Sequence, residues 1–284
     1  MTTFSHVLLD NYRHSPDQTA LTLLFNRQPP MVWNYRDLAF KAAEYAAALE
    51  KAGVQPGEVV ILIHDHGEDL AASFFGAVLH GAVPSIMPFL TEKLAPDQYR
   101  SSLAALFEIS TPAAIATYPE FVEEVRRAAG EQSSIRAVLV SGDIPPQPHP
   151  NFDRLPGLQR SPDDIVLLQH SSGTTGLQKG VALSHRAVFN QLDSYARSLR
   201  LSAEDVIVSW LPLYHDMGLI AGFLMPILRR VPLVLMSPFD WVRAPYRLLQ
   251  AISQYRGTLC WLPNFAYNFC AQKIRSRDLE GVDL

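Results

Sequence analysis

The run EVVILI at residues 58–63 puts five apolar residues in a row. A strand of this kind has no polar face to give to water, so it must be covered on both sides. The pattern repeats. EVVILI is followed by GEDLAASFFGAVLHG (67–81), a helix with a glycine stop, and then by AVPSIM (82–87), a strand. PDQYRSSLAALFEIS (96–110) reads as a helix and AAIAT (113–117) as a strand. PEFVEEVRRAAG (119–130) has Pro119 at its start and Gly130 at its end, and IRAVLV (135–140) is the next strand. Strands that alternate with helices predict an α/β fold, with mostly parallel, doubly wound sheets flanked by helices.

Two departures from this alternation are expected. TALTLLF (19–25) and MVWN (31–34), separated by NRQPP, read as an N-terminal hairpin, followed by a helix over YRDLAFKAAEYAAALEKAG (35–53). Residues 141–157, SGDIPPQPHPNFDRLPG, hold five prolines and read as an extended, exposed connection. The expected organisation is a first α/β subdomain over 1–140, a connection over 141–160 and a second subdomain over 161–284.

The chain has 284 residues, 48% of them hydrophobic and 18% charged, with a net charge of −4. This is an ordinary globular balance, and nothing basic in it suggests nucleic acid. The N-terminus has no signal-peptide core. Leu70–Thr91 lacks Asp, Glu, Lys and Arg but is broken by Gly76, Gly81, Pro84 and Pro88, so a buried helix and strand explain it better than a membrane span. Cys260 and Cys270 form no C-x-x-C motif and read as buried free thiols of a reducing compartment. A cytoplasmic location is expected.

The segment LLQHSSGTTGLQKGV (167–181) carries the clearest chemistry. DDIVLLQ (163–169) reads as a strand before it and GVALS (180–184) as a strand after it, with Ser184 placed to cap a helix over HRAVFNQLDSYARSL (185–199). Gly173, Gly176 and Gly180 let backbone N–H groups turn inward as an anion nest. Ser171, Ser172, Thr174 and Thr175 add hydroxyls, and Lys179 adds a positive charge. The set suits a polyphosphate, while a solvated hairpin turn is the plain alternative. It is not a Walker loop. That motif needs Gly-Lys-Ser/Thr and a direct passage from strand to helix. An unrelated nucleotide hydrolase is disfavoured for both reasons.

The stretch resembles the phosphate-binding signature of the adenylate-forming (AMP-binding) superfamily, roughly [ST]-[ST]-G-[ST]-[ST]-G-x-P-K-G, with Gln178 in place of the usual proline. SWLPLYHDMGLIAGFLMPIL (209–228), PNFAYNFC (263–270) and the opening MVWNYRDLAFKAAEYAAALEKAGVQPGEVVILI (31–63) resemble the same superfamily. Their wording is most similar to fatty acyl-AMP ligases and acyl-CoA synthetases. The resemblance implies that Ser171, Ser172, Gly173, Thr174, Thr175, Gly176, Lys179 and Gly180 bind ATP. Thr174, Thr175 and Lys179 would contact its β- and γ-phosphates. It also implies that His215 stands beside the acyl carboxylate, with Lys179 and His215 as the catalytic pair. Asp216, Met217 and Gly218 follow in the substrate-binding group, and Asn264, Phe265 and Tyr267 line an acyl tunnel on a pocket-lining turn.

Plain alternatives stand beside these assignments. His215 can be a core histidine, Asp216 can pair with His215 or cap the next turn, and Asn264, Phe265 and Tyr267 can be packing residues. Trp210 and Trp241 read as packing. The stretch HDHG (64–67) has the look of a metal site but lacks a third ligand, and Asp65 can cap the next helix; no metal site is assigned.

The implied activity is ATP-dependent activation of a fatty acid to acyl-AMP with release of pyrophosphate, then transfer to a thiol of acyl-carrier protein or CoA. The superfamily motifs for adenine, ribose and Mg²⁺, and a C-terminal lid domain, are expected beyond Leu284. Residues 1–284 then correspond to an incomplete N-terminal domain, expected to be inactive alone. A non-catalytic acyl- or phosphate-binding fragment is the other reading.

Overall fold

The computed structural model describes residues 2–88, 96–130, 134–171 and 179–284. Its elements separate into two compact units, Met1–Leu9 with Asp37–Val188, and Asp10–Arg36 with Phe189–Leu284. The division does not fall at 141–160. The stretch there is no free linker. It holds 3₁₀ turns at Ser141–Asp143, Phe152–Arg154 and Pro156–Gln159. It is also anchored at Gly157, where a Cβ would come within 2.3 Å of the Val78 carbonyl oxygen.

The first unit is built on a parallel sheet in the order β4-β3-β5-β6. Its strands are β3 (Val59–Ile63), β4 (Val83–Ile86), β5 (Ala114–Thr117) and β6 (Ala137–Val140). Strands β3, β4 and β5 are buried as their apolar runs require. Ile61, Ile63 and Ile115 pack with Tyr99, Leu103 and Phe107 of helix α4 (Pro96–Ser110) and with Phe121 and Val125 at helix α5 (Val122–Ala129). The alternate residue His64 is buried and meets the Tyr45 ring of helix α2 (Tyr35–Lys51) edge-on at 6.3 Å.

Helix α3 (Glu68–His80) ends as its sequence predicts. Gly81 adopts φ 83° and its N–H reaches the Ala77 and Val78 carbonyls. At the other end Asp65 does not cap the helix. Gly67 holds the N-cap position, without a side-chain bond.

An antiparallel hairpin completes this unit. Its strands are β7 (Ile165–Ser171) and β8 (Lys179–Ser184), and Ser171 pairs with Lys179. Ser184 Oγ accepts from Ala187 N at 3.2 Å at the start of helix α6 (His185–Leu199), as the capping pattern predicts.

The second unit has the sheet order β2-β1-β10-β9. The expected hairpin, β1 (Thr19–Leu24) with β2 (Met31–Asn34), is antiparallel. It joins this sheet because β1 runs parallel to β10 (Leu233–Met236), which also pairs with β9 (Ile207–Ser209). Helix α7 (Met225–Arg229) stands between β9 and β10, and helices α8 (Pro238–Arg243), α9 (Tyr246–Tyr255) and α10 (Asn264–Lys273) follow β10. Between α9 and α10 the chain adds one bridge to this sheet, Leu259 to Ile207. No described helix is long and apolar enough to cross a membrane.

Candidate functional site

In the first unit the hairpin holds its two arms in antiparallel register. Ser171 and Lys179 lie opposite each other, and His170 lies opposite Gly180. Ser172, Gly173, Thr174, Thr175 and Gly176 lie outside the described residues, as do the side chains of Ser171 and Lys179. The hairpin is tied to β4 through Ser85, whose hydroxyl donates to the Leu168 carbonyl at 3.1 Å and meets His170 Nδ1 at 3.0 Å.

In the second unit, His215 heads a π-helix, Met217–Leu224. Five-residue turns mark it, since Met225 N donates to the Ile220 carbonyl. Such turns are uncommon and cluster at functional sites. Two glycines permit it to lie close to the chain before it. A Cβ on Gly218 would sit 2.2 Å from the Pro212 carbonyl oxygen, and one on Gly222 would sit 2.6 Å from Ser209 Oγ.

His215 is exposed, with its ring tilted against Tyr214 at 4.8 Å. The core-histidine alternative is therefore set aside. Asp216 takes the capping role rather than a pair with His215, since Oδ1 accepts from Met217 N at 2.7 Å. Met217 is exposed and Gly218 is buried.

Asn264, Phe265 and Tyr267 stand on the first turn of α10, a helix rather than the expected turn, and all three are exposed. Phe265 meets Trp210 at 6.3 Å and Trp241 at 6.2 Å, both near edge-on. Those indoles stack at 3.6 Å in the buried core. Phe265 is thus tied to the segment that leads to His215, while its other side is open. Met217 (41% exposed), Phe265 (60%) and Tyr267 (60%) are large apolar side chains left at the surface.

Cys260 and Cys270 pack against the same core, and burial pushes the Cys260 thiol up to about 12 and Cys270 in the same direction. Both thiols stay protonated at neutral pH, which suits packing rather than nucleophilic work. Among the described residues no group of three or more His, Cys, Asp or Glu side chains is placed to hold a metal ion.

The model of the AMP-binding enzyme family matches residues 8–284. The chain belongs to that family. It is 29% identical to a long-chain-fatty-acid–AMP ligase of Mycobacterium bovis, over 98% of this chain and 48% of the relative. It is 27% identical to a medium-chain-fatty-acid–[acyl-carrier-protein] ligase of Moorena producens, over 88% of this chain and 42% of that protein. Its fold matches a fatty acyl-adenylate ligase from L. pneumophila, solved with acyl adenylate and pyrophosphate. There the TM-score is 0.83 and the identity 29%, over 99% of this chain and 48% of that one. The chain spans about half the length of these relatives.

The sequence missed the Ser85–His170 contact and the π-helix. The first had no local sign, since Ser85 and His170 stand 85 positions apart. The second had Gly218 and Gly222 one turn apart in an apolar run.

Proposed function

We propose that the protein to which this chain contributes activates a fatty acid with ATP. A carboxylate oxygen attacks the α-phosphorus, the bond to the β-phosphate breaks, and acyl-AMP and pyrophosphate result. The acyl group then passes to a thiol, of acyl-carrier protein or of CoA. The observation that carries this reading is the family match across 8–284, on a chain whose hairpin sets Ser171 opposite Lys179. The ligase names of the relatives support the fatty-acid class.

In this reading Ser171–Gly176, Lys179 and Gly180 hold the polyphosphate by backbone N–H groups, hydroxyls and one ammonium. His215 stands at the acyl carboxylate, where an imidazole N–H donates one hydrogen bond and an exposed ring is free to swing away. Asp216 shapes the turn below it. Phe265, Tyr267 and Met217 offer apolar surface to the acyl chain, with Asn264 at its edge and Gly218 holding the backbone beneath. Mg²⁺ supplies charge neutralisation to ATP in this chemistry, and no described residue is assigned to it.

The test uses the full-length gene product, because this chain spans about half of its relatives. Lys179→Ala is expected to lower ATP-dependent pyrophosphate exchange by an amount corresponding to about 1.5–3 kcal/mol, the value of a charge-assisted contact. Exchange at the parent rate would remove the loop from the ATP site.

His215→Ala separates the two substrates. Adenylate formation is expected to fall more than ATP affinity, with the melting temperature little changed because the ring is exposed. A parallel loss of folding and rate would return His215 to a structural role.

A further inference from the structure

His170 was assigned no role in the sequence, yet it touches both arms of the hairpin and the sheet beside it. The Ser85 hydroxyl has one proton, which goes to the Leu168 carbonyl at 3.1 Å. The contact of 3.0 Å between Ser85 Oγ and His170 Nδ1 is then a bond donated by the imidazole. Nδ1 carries the ring proton and Nε2 the lone pair. Ser85 is fully buried on β4, so the anchor is rigid. The other edge of the ring lies over Gly180. A Cβ there would sit 3.2 Å from Nε2, 3.6 Å from Cδ2 and 3.8 Å from Cε1. Glycine at 180 is thus matched to histidine at 170, its partner across the ladder. Burial lowers the His170 pKa, which keeps the ring neutral at neutral pH and consistent with that tautomer.

We propose that His170 is a positioning residue for the phosphate loop: held by Ser85 and laid over Gly180, it fixes the spacing of the two hairpin arms where Ser171 and Lys179 enter the loop. The inference rests on the polyphosphate reading of that loop. Its physical basis is that a phosphate site made of backbone N–H groups and one lysine works only if both ends of the loop are held.

The experiment is a double-mutant cycle in the full-length enzyme, read by KM for ATP and for fatty acid in pyrophosphate exchange, with melting curves for each variant. His170→Ala is expected to raise KM for ATP about tenfold, with KM for the acid unchanged. Gly180→Ala is expected to do the same by pushing the ring aside. The double variant should be no worse than either single one, because among the described residues only the ring comes within 3.8 Å of the added methyl. His170→Asn, which keeps a donor near the Nδ1 position for Ser85, should recover part of the loss and provides a folded variant if alanine does not.

Effects of 170 and 180 that multiply, or equal changes in KM for both substrates, would overturn the inference. Lys179→Ala separates this failure from failure of the loop reading. If Lys179→Ala is impaired while the 170–180 cycle is additive, His170 alone is misassigned. If Lys179→Ala is unimpaired, both fall.

Discussion

Alanine at Gly218 is expected to cost the second unit about 3 kcal/mol, the upper part of the usual range for overpacking. Its Cβ would lie 2.2 Å from the oxygen and 2.9 Å from the carbon of the Pro212 carbonyl, and 3.1 Å from the Leu211 oxygen. All three are backbone atoms, so no rotamer change relieves the contact. The π-helix must lift, and His215 at its head must move with it. Urea unfolding followed by tryptophan fluorescence reads the effect, since Trp210 and Trp241 lie in the same core. Gly142→Ala is the control, because among the described residues a Cβ there meets only Pro119 Cγ at 3.5 Å. Gly222→Ala refines the argument. Its Cβ meets the Ser209 hydroxyl at 2.6 Å but Ser209 Cβ at an ordinary 3.4 Å. Adding Ser209→Ala should therefore restore much of the lost stability. A Gly218→Ala midpoint like that of the control would mean that the segment does not hold this close approach.

The contrast between Gly81 and Gly218 shows what could be read in advance. Gly81 ends a helix by a local rule, with positive φ and two returning hydrogen bonds, and the rule is visible in the chain itself. Gly218 is required by a carbonyl six residues earlier, in a fold of the chain that no local pattern predicts. The same division runs through the rest. Buried strands, helix stops and the antiparallel hairpin followed from apolar runs and punctuation. The compact units did not, because β1 finds its parallel partner in β10, a pairing between distant parts of the chain. The π-helix was hidden because MGLIAGFL is apolar on every side, so no hydrophobic stripe marks its period. At the candidate site, residue chemistry was legible in SSGTTG and Lys179, while the Ser85–His170 support joins positions far apart in sequence. The helical conformation of Asn264–Tyr267 was not anticipated either, since Pro263 at the N-cap position was read as part of a turn.

Acid is expected to unfold the first unit well above the pH at which its carboxylates protonate. His64 is buried, and neither ring nitrogen has a hydrogen-bond partner among the described residues. Burial lowers its pKa from 6.5 to about 3. His185 falls to about 4, chiefly by burial, and its Nδ1 accepts from Phe4 N at 3.1 Å, a bond that protonation there would remove. Both groups bind a proton more readily unfolded than folded. Their contribution is therefore intact above the unfolded value near 6.5 and is lost as pH falls below it, down to the folded values. Each refused proton costs about 1.4 kcal/mol per pH unit in that window. Together the two histidines should remove about 4 kcal/mol between pH 7 and pH 5. Burial raises the pKa of Asp65 and Glu68, which work in the opposite direction. Their contribution grows as pH falls through their raised folded values toward the ordinary carboxylate range. Urea midpoints across this range read the slope. His64→Phe, which keeps an aromatic ring against Tyr45, should remove His64's share, about 2 kcal/mol between pH 7 and pH 5, and leave the part due to His185 and to His80 and His170, whose pKa burial also lowers. A slope unchanged in His64→Phe, or a His64 ring shown by NMR to protonate near pH 6.5 in the folded chain, would place that imidazole in contact with water.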